Sequence, residues 1–153
     1  MGQHSVSAIL NNKILIITLV SWCIAQLIKV IIGVFREKKF NFKWLIGTGG
    51  MPSSHCAGST ALATACGLYS GFDSSFFALA CAFALVTMFD AQGVRRSAGQ
   101  QAAILNQILD DMYWKGKIET TRLMELIGHT PLQVIVGGIL GILLGSFFFH
   151  IWK

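Results

Sequence analysis

Long apolar runs with few charges constrain this chain more than any other feature. Of its 153 residues, 54% are hydrophobic and 12% are charged, whereas about 25% are charged in an ordinary soluble domain. A helix needs roughly 20 apolar residues to cross a bilayer, and four segments approach that length, at about 8–35, 54–69, 74–89 and 131–152. We therefore predict an all-α fold, a polytopic membrane helical bundle of about four spans, as a single integral membrane domain over residues 1–153.

The second and third apolar segments are short for complete spans. The stretch YSGFDSS lies between them and predicts a hairpin that turns at Ser70–Ser74. The second segment is rich in Ala, Gly, Ser and Thr, and the last carries GGILG. Small residues of this kind let membrane helices approach closely.

A further segment, from Val94 to Trp114, has the pattern of an amphipathic helix. Its apolar residues recur at intervals of three and four: Val94, Ala98, Ala102, Leu105, Leu109 and Met112. The other side carries Gln100, Gln101, Asn106, Gln107 and Asp110. We expect this helix to lie along the cytoplasmic membrane surface or to cap the bundle.

Basic residues are concentrated in two of the three connections between apolar segments. The first connection contains Arg36, Lys38, Lys39 and Lys43, and the last contains Arg95, Arg96, Lys115, Lys117 and Arg122. The positive-inside rule places both connections in the cytoplasm and both termini outside a cell membrane. The net charge of +5 is thereby assigned to topology and to contact with membrane lipids, and no nucleic-acid partner is predicted.

This topology brings three polar stretches to the cytoplasmic ends of the helices: MPSSH, FDAQGVRR and GHTPLQV. Pro52 fits a first helical turn, where free N–H groups and the helix dipole favour an anion. Further phosphate-binding candidates are Gly50, Ser53, Ser54, Arg95 and Arg96. The residue types therefore predict an oxyanion site on the cytoplasmic side.

Three titratable residues are the catalytic candidates. His55 and His129 can share nucleophilic and general-acid work near neutral pH, and Asp90 lies near a membrane boundary, where an acid is a functional candidate. His4 and His150 lie near the termini and are assigned no role. Phosphoryl transfer through a phosphohistidine requires no metal or other cofactor. If Asp90 instead joins the pair Asp110 and Asp111, a Mg²⁺ site becomes the alternative.

Several of these stretches carry a resemblance to a known superfamily. KVIIGVFR, MPSSH and GHTPLQVIVGG resemble degenerate versions of the three signatures of the type-2 phosphatidic acid phosphatases, a superfamily that includes vanadium haloperoxidases. GGMPSSH, DAQGVRR and IGHTP are most similar to its divergent bacterial and plastid branch. The resemblance implies an all-helical membrane phosphatase that acts on lipid phosphates.

The resemblance also implies roles for individual residues. His129 falls at the position that attacks phosphorus, and His55 at the position that protonates the leaving group. The phosphate-binding positions fall to Lys29 and Arg36, which have the spacing of the first signature, and to Ser53 with the Ser54 amide. From the residues alone, Lys29 is equally well explained as a lysine that snorkels to the interface.

The chain departs from the signatures at three positions. Ser54 replaces a glycine, and Leu123 replaces an arginine whose charge Arg95 and Arg96 are candidates to supply. Gln133 stands where an aspartate orients the nucleophile, so that role is either lost or passes to Asp90.

The resulting prediction is a phosphatase that hydrolyses a lipid phosphomonoester, of the phosphatidylglycerol phosphate or phosphatidic acid class, at the cytoplasmic leaflet. Two other classes stay open: a non-catalytic lipid- or anion-binding membrane protein on the same scaffold, and a transporter or channel subunit. A homodimer is a further expectation, because four spans are few for a whole pocket.

Overall fold

The computed structural model describes residues 7–38, 50–113 and 128–152, with the backbone alone for 94–96 and 111–113. These residues contain five long α-helices. In chain order they are α1 (Lys13–Glu37), α2 (Ser54–Ser70), α3 (Ser75–Gln92), α4 (Val94–Tyr113) and α5 (Pro131–Ile151). Together with their apolar surfaces, these helices confirm the prediction of an all-α membrane helical bundle.

The helix ends follow from local capping. The side chain of Asn12 accepts from the N–H of Leu15 at the start of α1, and Ser74 accepts from Phe77 at the start of α3. Between α2 and α3 the chain turns over residues 71–74, where the sequence predicts the hairpin. Gly71 has φ +96° there, a conformation that glycine adopts most readily.

Helix α2 is the centre of the bundle. It packs against α1, α3 and α5, and most of its residues are buried. The neighbouring helices come close because their contact positions are small. On Gly145 a Cβ atom would lie 3.1 Å from the Cα of Ala61, and on Gly141 it would collide with Thr60 and Ala57. The small residues that the sequence places in these segments therefore form the α2–α5 contact.

A polar contact in the middle of the bundle fixes the same two helices. The hydroxyl oxygen of Thr60 lies 2.8 Å from the carbonyl oxygen of Cys56, one turn earlier in α2. It also lies 3.0 Å from the carbonyl oxygen of Gly138 in α5. A hydroxyl inside a membrane bundle is satisfied in this way by backbone acceptors.

Three helical stretches of the described residues are long and apolar enough to cross a membrane: Lys13–Glu37, Ser75–Asp110 and Pro131–Ile151. Helix α2 has 17 residues, fewer than the roughly 20 that span the hydrocarbon. Since it is surrounded by the other helices, its length is covered by protein more than by lipid.

Helix α4 confirms the helix predicted over Val94–Trp114. It follows α3 after Gly93 and, among the described helices, contacts α3 alone. Leu105, on the predicted apolar side, is exposed, which fits a surface that faces lipid, whereas Asn106, on the predicted polar side, is 7% exposed. A periodic pattern shows that two faces differ, but it does not tell a lipid-facing surface from a protein-facing one.

The start of α1 and the end of α5 meet at one end of the bundle. The Lys13 ammonium donates to the carbonyl oxygen of Trp152, 2.7 Å away, and so caps the last turn of α5. Ile14 packs beside Ala63 and Cys66, near the end of α2. Helices α1 and α2 are therefore antiparallel, and the start of α2 lies at the opposite end of the bundle.

Candidate active site

At that opposite end, two long-range backbone hydrogen bonds join three helix termini. The N–H of Ser53, which precedes α2, donates to the carbonyl oxygen of Gln133 in the first turn of α5, at 3.2 Å. The N–H of His129 donates to the carbonyl oxygen of Ala91 in the last turn of α3, at 3.0 Å. The stretches MPSSH, FDAQGVRR and GHTPLQV therefore meet at one place.

A glycine allows the starts of α2 and α5 to approach so closely. A Cβ atom on Gly137 would lie 2.5 Å from the carbonyl oxygen of Ser53 and 3.1 Å from its Cβ. No side chain fits there without movement of the backbone. The stretch GGILG therefore allows both the close packing of α5 on α2 and the approach of their starts at the site.

Lys29 enters the same region from α1. Its side chain is 6% exposed, and its Cγ and Cδ atoms lie 3.2 and 3.3 Å from the place that a Cβ on Gly50 would occupy. Gly50 also has φ +82°, where other residues are strained. Two features therefore favour glycine at position 50: its positive φ and the closeness of the Lys29 side chain.

The start of α2 offers several hydrogen-bond donors. Ser53 is the N-cap, and its side chain accepts from the N–H of Cys56 at 3.4 Å. Ser54 is 1% exposed, and its hydroxyl has no hydrogen-bond partner among the described residues. The N–H groups of a first helical turn have no carbonyl one turn earlier to bind, and the helix dipole makes this end positive. Such a helix end suits an anion.

The expectation that Pro52 starts the helix is wrong in detail. Helix α2 begins at Ser54, so Pro52 precedes the N-cap. The N–H of Ser53 is also committed to Gln133. Among the groups of Ser53, the hydroxyl is therefore the one that remains to donate to a ligand, since its oxygen already accepts from Cys56.

His129 is held on both its backbone and its ring. It is 2% exposed, and its Nδ1 lies 3.1 Å from the Oε1 atom of Gln133. The next residue, Thr130, caps α5: its side chain accepts from the N–H of Gln133, while the Gln133 side chain accepts from the N–H of Thr130. Pro131 follows at the first helical position, where proline is favoured.

His55 belongs to the first turn of α2 and is half-buried. A backbone hydrogen bond joins Ser53 to Gln133. His55 lies two residues after Ser53, and His129 lies four residues before Gln133. Both imidazoles are thus attached at the same end of the bundle, on helix starts that touch.

Two other predicted site residues, Asp90 and Arg36, occupy different positions around this centre. Asp90 is half-exposed and directly precedes Ala91, whose carbonyl oxygen holds His129. Arg36 is exposed on the last turn of α1, seven residues beyond Lys29, which is about 10 Å along the unbroken helix. The structure therefore brings Lys29 into the site and leaves Arg36 two turns away.

Some candidates fall outside the described side chains. The backbone of Arg95 and Arg96 is in the first turn of α4, close to Ala91 in the chain, but their side chains are not described. The same holds for Asp111 of the proposed magnesium pair. Among the described residues, no three His, Cys, Asp or Glu side chains are grouped as metal ligands.

Gln133 is the residue whose part in the site sequence analysis missed. Its side chain contacts both His129 and Thr130, and its carbonyl oxygen binds the start of α2. The signal was present in the sequence, because TPLQ matches the capping box, a Ser or Thr followed three residues later by Glu or Gln.

Comparison with known proteins places these residues in a wider group. A family model described as "Divergent PAP2 family" matches residues 10–144, a range that contains every candidate described above. The chain is 43% identical over 147 residues to a protein of Bacillus subtilis (strain 168) named "Uncharacterized membrane protein YuiD"; the match covers 89% of this chain and 93% of that protein. No solved structure matches the chain.

Proposed function

Since the chain belongs to the divergent PAP2 family of membrane proteins, we propose that it is a lipid-phosphate phosphatase. It removes a phosphomonoester from a membrane lipid by way of a phosphohistidine. Its substrate is of the phosphatidylglycerol phosphate or phosphatidic acid class, and the reaction takes place at the cytoplasmic leaflet of a cell membrane.

The observation that carries this proposal is the meeting of two helix starts with a buried lysine. The hydrogen bond between Ser53 and Gln133 holds the two histidine-bearing segments together. The side chain of Lys29 lies beside Gly50, three residues before Ser53. A buried cation, a positive helix end and two imidazoles are the groups that phosphoryl transfer needs when no metal supplies the charge.

In the first step, Nε2 of His129 attacks phosphorus. The N–P bond forms as the bond from phosphorus to the ester oxygen breaks, and a proton from His55 goes to the departing oxygen, which leaves as the lipid alcohol. Lys29 and the first turn of α2 stabilise the negative charge on the transferring group.

In the second step, water attacks the phosphohistidine. The proton of the water passes to His55, a new O–P bond forms, and the N–P bond breaks to release inorganic phosphate. Both histidines return to their starting protonation states, so the cycle needs only lipid ester and water. Ser53 and Ser54 donate to the phosphate oxygens in both steps.

The orientation comes from charge. Among the described basic residues, Arg36 and Lys38 lie at the site end of α1. Lys13 lies at the opposite end, where the turn 71–74 contains no Lys or Arg. The positive-inside rule then places the site toward the cytoplasm, where a lipid phosphate made at the inner leaflet is the accessible substrate.

Phosphate release by the purified protein tests the proposal. Phosphatidic acid, phosphatidylglycerol phosphate and a soluble phosphomonoester are compared for wild type, His55→Ala, His129→Ala and His150→Ala. His150 is exposed near the other end of α5, so its variant is the matched control. We expect release from the lipid phosphates, its loss in the two site variants, and no change in His150→Ala.

Absence of release from every lipid phosphate, or equal rates in wild type and His129→Ala, overturns the proposal. Lipid-phosphate binding without turnover, equal in wild type and both site variants, would instead identify a lipid-binding membrane protein. Flux of solute or ions in proteoliposomes would identify a transporter or channel.

A further inference from the structure

We propose that Gln133 is a positioning residue that fixes the tautomer of His129, with hydrogen on Nδ1 and the lone pair on Nε2. The tautomer follows from the hydrogen bonds alone. Its catalytic consequence, a nucleophile ready at Nε2, rests on the proposed function.

The first step is the orientation of the Gln133 amide. Its Oε1 atom lies 3.1 Å from the backbone nitrogen of Thr130. A backbone N–H can only donate, so the side-chain atom that faces it must be an acceptor. The opposite amide orientation would place an NH2 group against an N–H. The capping box at the start of α5 therefore determines which end of the amide is oxygen.

The second step is the proton on the histidine ring. The same Oε1 atom lies 3.1 Å from Nδ1 of His129. An amide oxygen has two lone pairs and can accept from Thr130 and His129 together, but it cannot donate. A lone pair on Nδ1 would therefore face another lone pair. The favourable arrangement has hydrogen on Nδ1, which leaves the lone pair of the neutral ring on Nε2.

The third step is the rigidity of both partners. The backbone carbonyl oxygen of Gln133 accepts from Ser53 at 3.2 Å, and the backbone N–H of His129 donates to Ala91 at 3.0 Å. His129 is also 2% exposed, so water has little access to compete for the contact. Because both ends of the hydrogen bond are anchored, the tautomer is set before any substrate binds.

An amide differs from a carboxylate in what it contributes here. Both can accept a hydrogen bond from Nδ1, but Gln133 adds no negative charge that would stabilise a protonated ring. The same residue, Gln133, therefore caps α5 and orients the ring of His129. This assigns the orienting function to Gln133.

Nitrogen NMR of the full-length chain in detergent micelles tests the tautomer directly. The protein is labelled with ¹⁵N-histidine, the His129→Asn variant identifies the signal, and two-bond ¹H–¹⁵N spectra report which ring nitrogen carries hydrogen. We expect hydrogen on Nδ1 in wild type. In Gln133→Leu the ratio of tautomers shifts toward Nε2–H by roughly three- to tenfold, the worth of one hydrogen bond.

The conservative variant Gln133→Glu separates positioning from structure. Glutamate keeps an oxygen for both Thr130 and His129, so we expect it to retain the Nδ1–H tautomer that leucine loses. In the phosphate-release assay, leucine lowers kcat more than it raises KM, and glutamate restores much of kcat.

The wild-type spectrum decides the matter even if Gln133→Leu does not fold. Hydrogen on Nε2 in wild type overturns the proposal, and so does an unchanged tautomer ratio in a folded Gln133→Leu protein. If the tautomers behave as expected while no form of the protein, wild type included, releases phosphate, then the proposed function fails and the positioning by Gln133 stands.

Discussion

The backbone N–H of His129 donates to the carbonyl oxygen of Ala91 at 3.0 Å, so the candidate nucleophile is anchored to the end of α3 and not only to its own helix. The same end of the bundle receives the start of α2 through the hydrogen bond from Ser53 to Gln133. The site consequently depends on how the helices pack. Substitutions at the packing glycines therefore affect the histidines without touching them.

Replacing Gly137 with alanine tests that dependence. The added Cβ would lie 2.5 Å from the carbonyl oxygen of Ser53, and this clash forces the starts of α2 and α5 apart. We expect the free energy of unfolding to fall by about 1–3 kcal/mol and phosphate release to fall with it. Thermal unfolding in detergent and the release assay give the two values.

The neighbouring Gly138 is the matched control. Its added Cβ would meet Met88 and Thr60 at 3.5 and 3.7 Å, which is ordinary contact. Since alanine is also the better helix former by about 0.5–1 kcal/mol, Gly138→Ala should keep or raise the melting temperature and leave activity unchanged. Equal damage from both alanines would contradict the packing argument.

Replacing Lys29 with methionine removes the buried charge and keeps most of the apolar chain. If the ammonium binds the phosphate, kcat/KM should fall about 10- to 100-fold, the worth of a hydrogen bond to a charged group. Lys13→Met is the control, because Lys13 is exposed at the other end of the bundle and binds Trp152. Equal kcat/KM for wild type and Lys29→Met would show that the lysine has a packing role alone.

Alanine substitutions at two glycines with positive φ distinguish the effect of backbone strain from an effect on the site. Gly50 has φ +82° and lies beside Lys29, and Gly71 has φ +96° in the turn at the other end. Alanine at either position costs about 1–2 kcal/mol of stability. We expect Gly50→Ala to raise KM as well, whereas Gly71→Ala should lower the melting temperature without changing KM. A rise in KM for both would point to general loosening of the fold.

Cysteine labelling tests the orientation. Met51 and Phe72 are exposed at opposite ends of the bundle, and Cys23, the exposed native cysteine among the described residues, is first replaced by alanine. We expect a membrane-impermeant maleimide to label Phe72→Cys in intact cells and Met51→Cys only after lysis. Labelling of Met51→Cys in intact cells would place the site outside.

The helices could be predicted from sequence because their signals are local. Apolar runs, N-cap residues such as Ser74 and the turn at Gly71 depend on a few neighbouring residues. For the stretches that contain Ser53, Ala91 and His129, the sequence predicts only that they lie on the same side of the membrane. Their actual hydrogen bonds depend on lateral packing, which hydropathy does not record.

Two particular residues show where local patterns fail. Asn106 is on the polar side of the pattern in α4 and yet is 7% exposed, because periodicity does not record which neighbours cover a face. Gln133 was considered only as a missing aspartate, although its position three residues after Thr130 marks a capping box. Gln133 both caps α5 and contacts His129. Comparing its residue type with the aspartate of the signature does not reveal the contact with the histidine.

Helix α1 extends past the level at which its lysine meets the start of α2. Lys29 lies at the level of Gly50, while α1 continues eight residues further to Glu37, an overhang of about 12 Å. In the proposed phosphatase, a substrate whose acyl tails hold it in the membrane can bring its phosphate to groups that lie inside the end of α1. We therefore expect faster phosphate release from lipid esters than from the soluble phosphomonoester in the same assay.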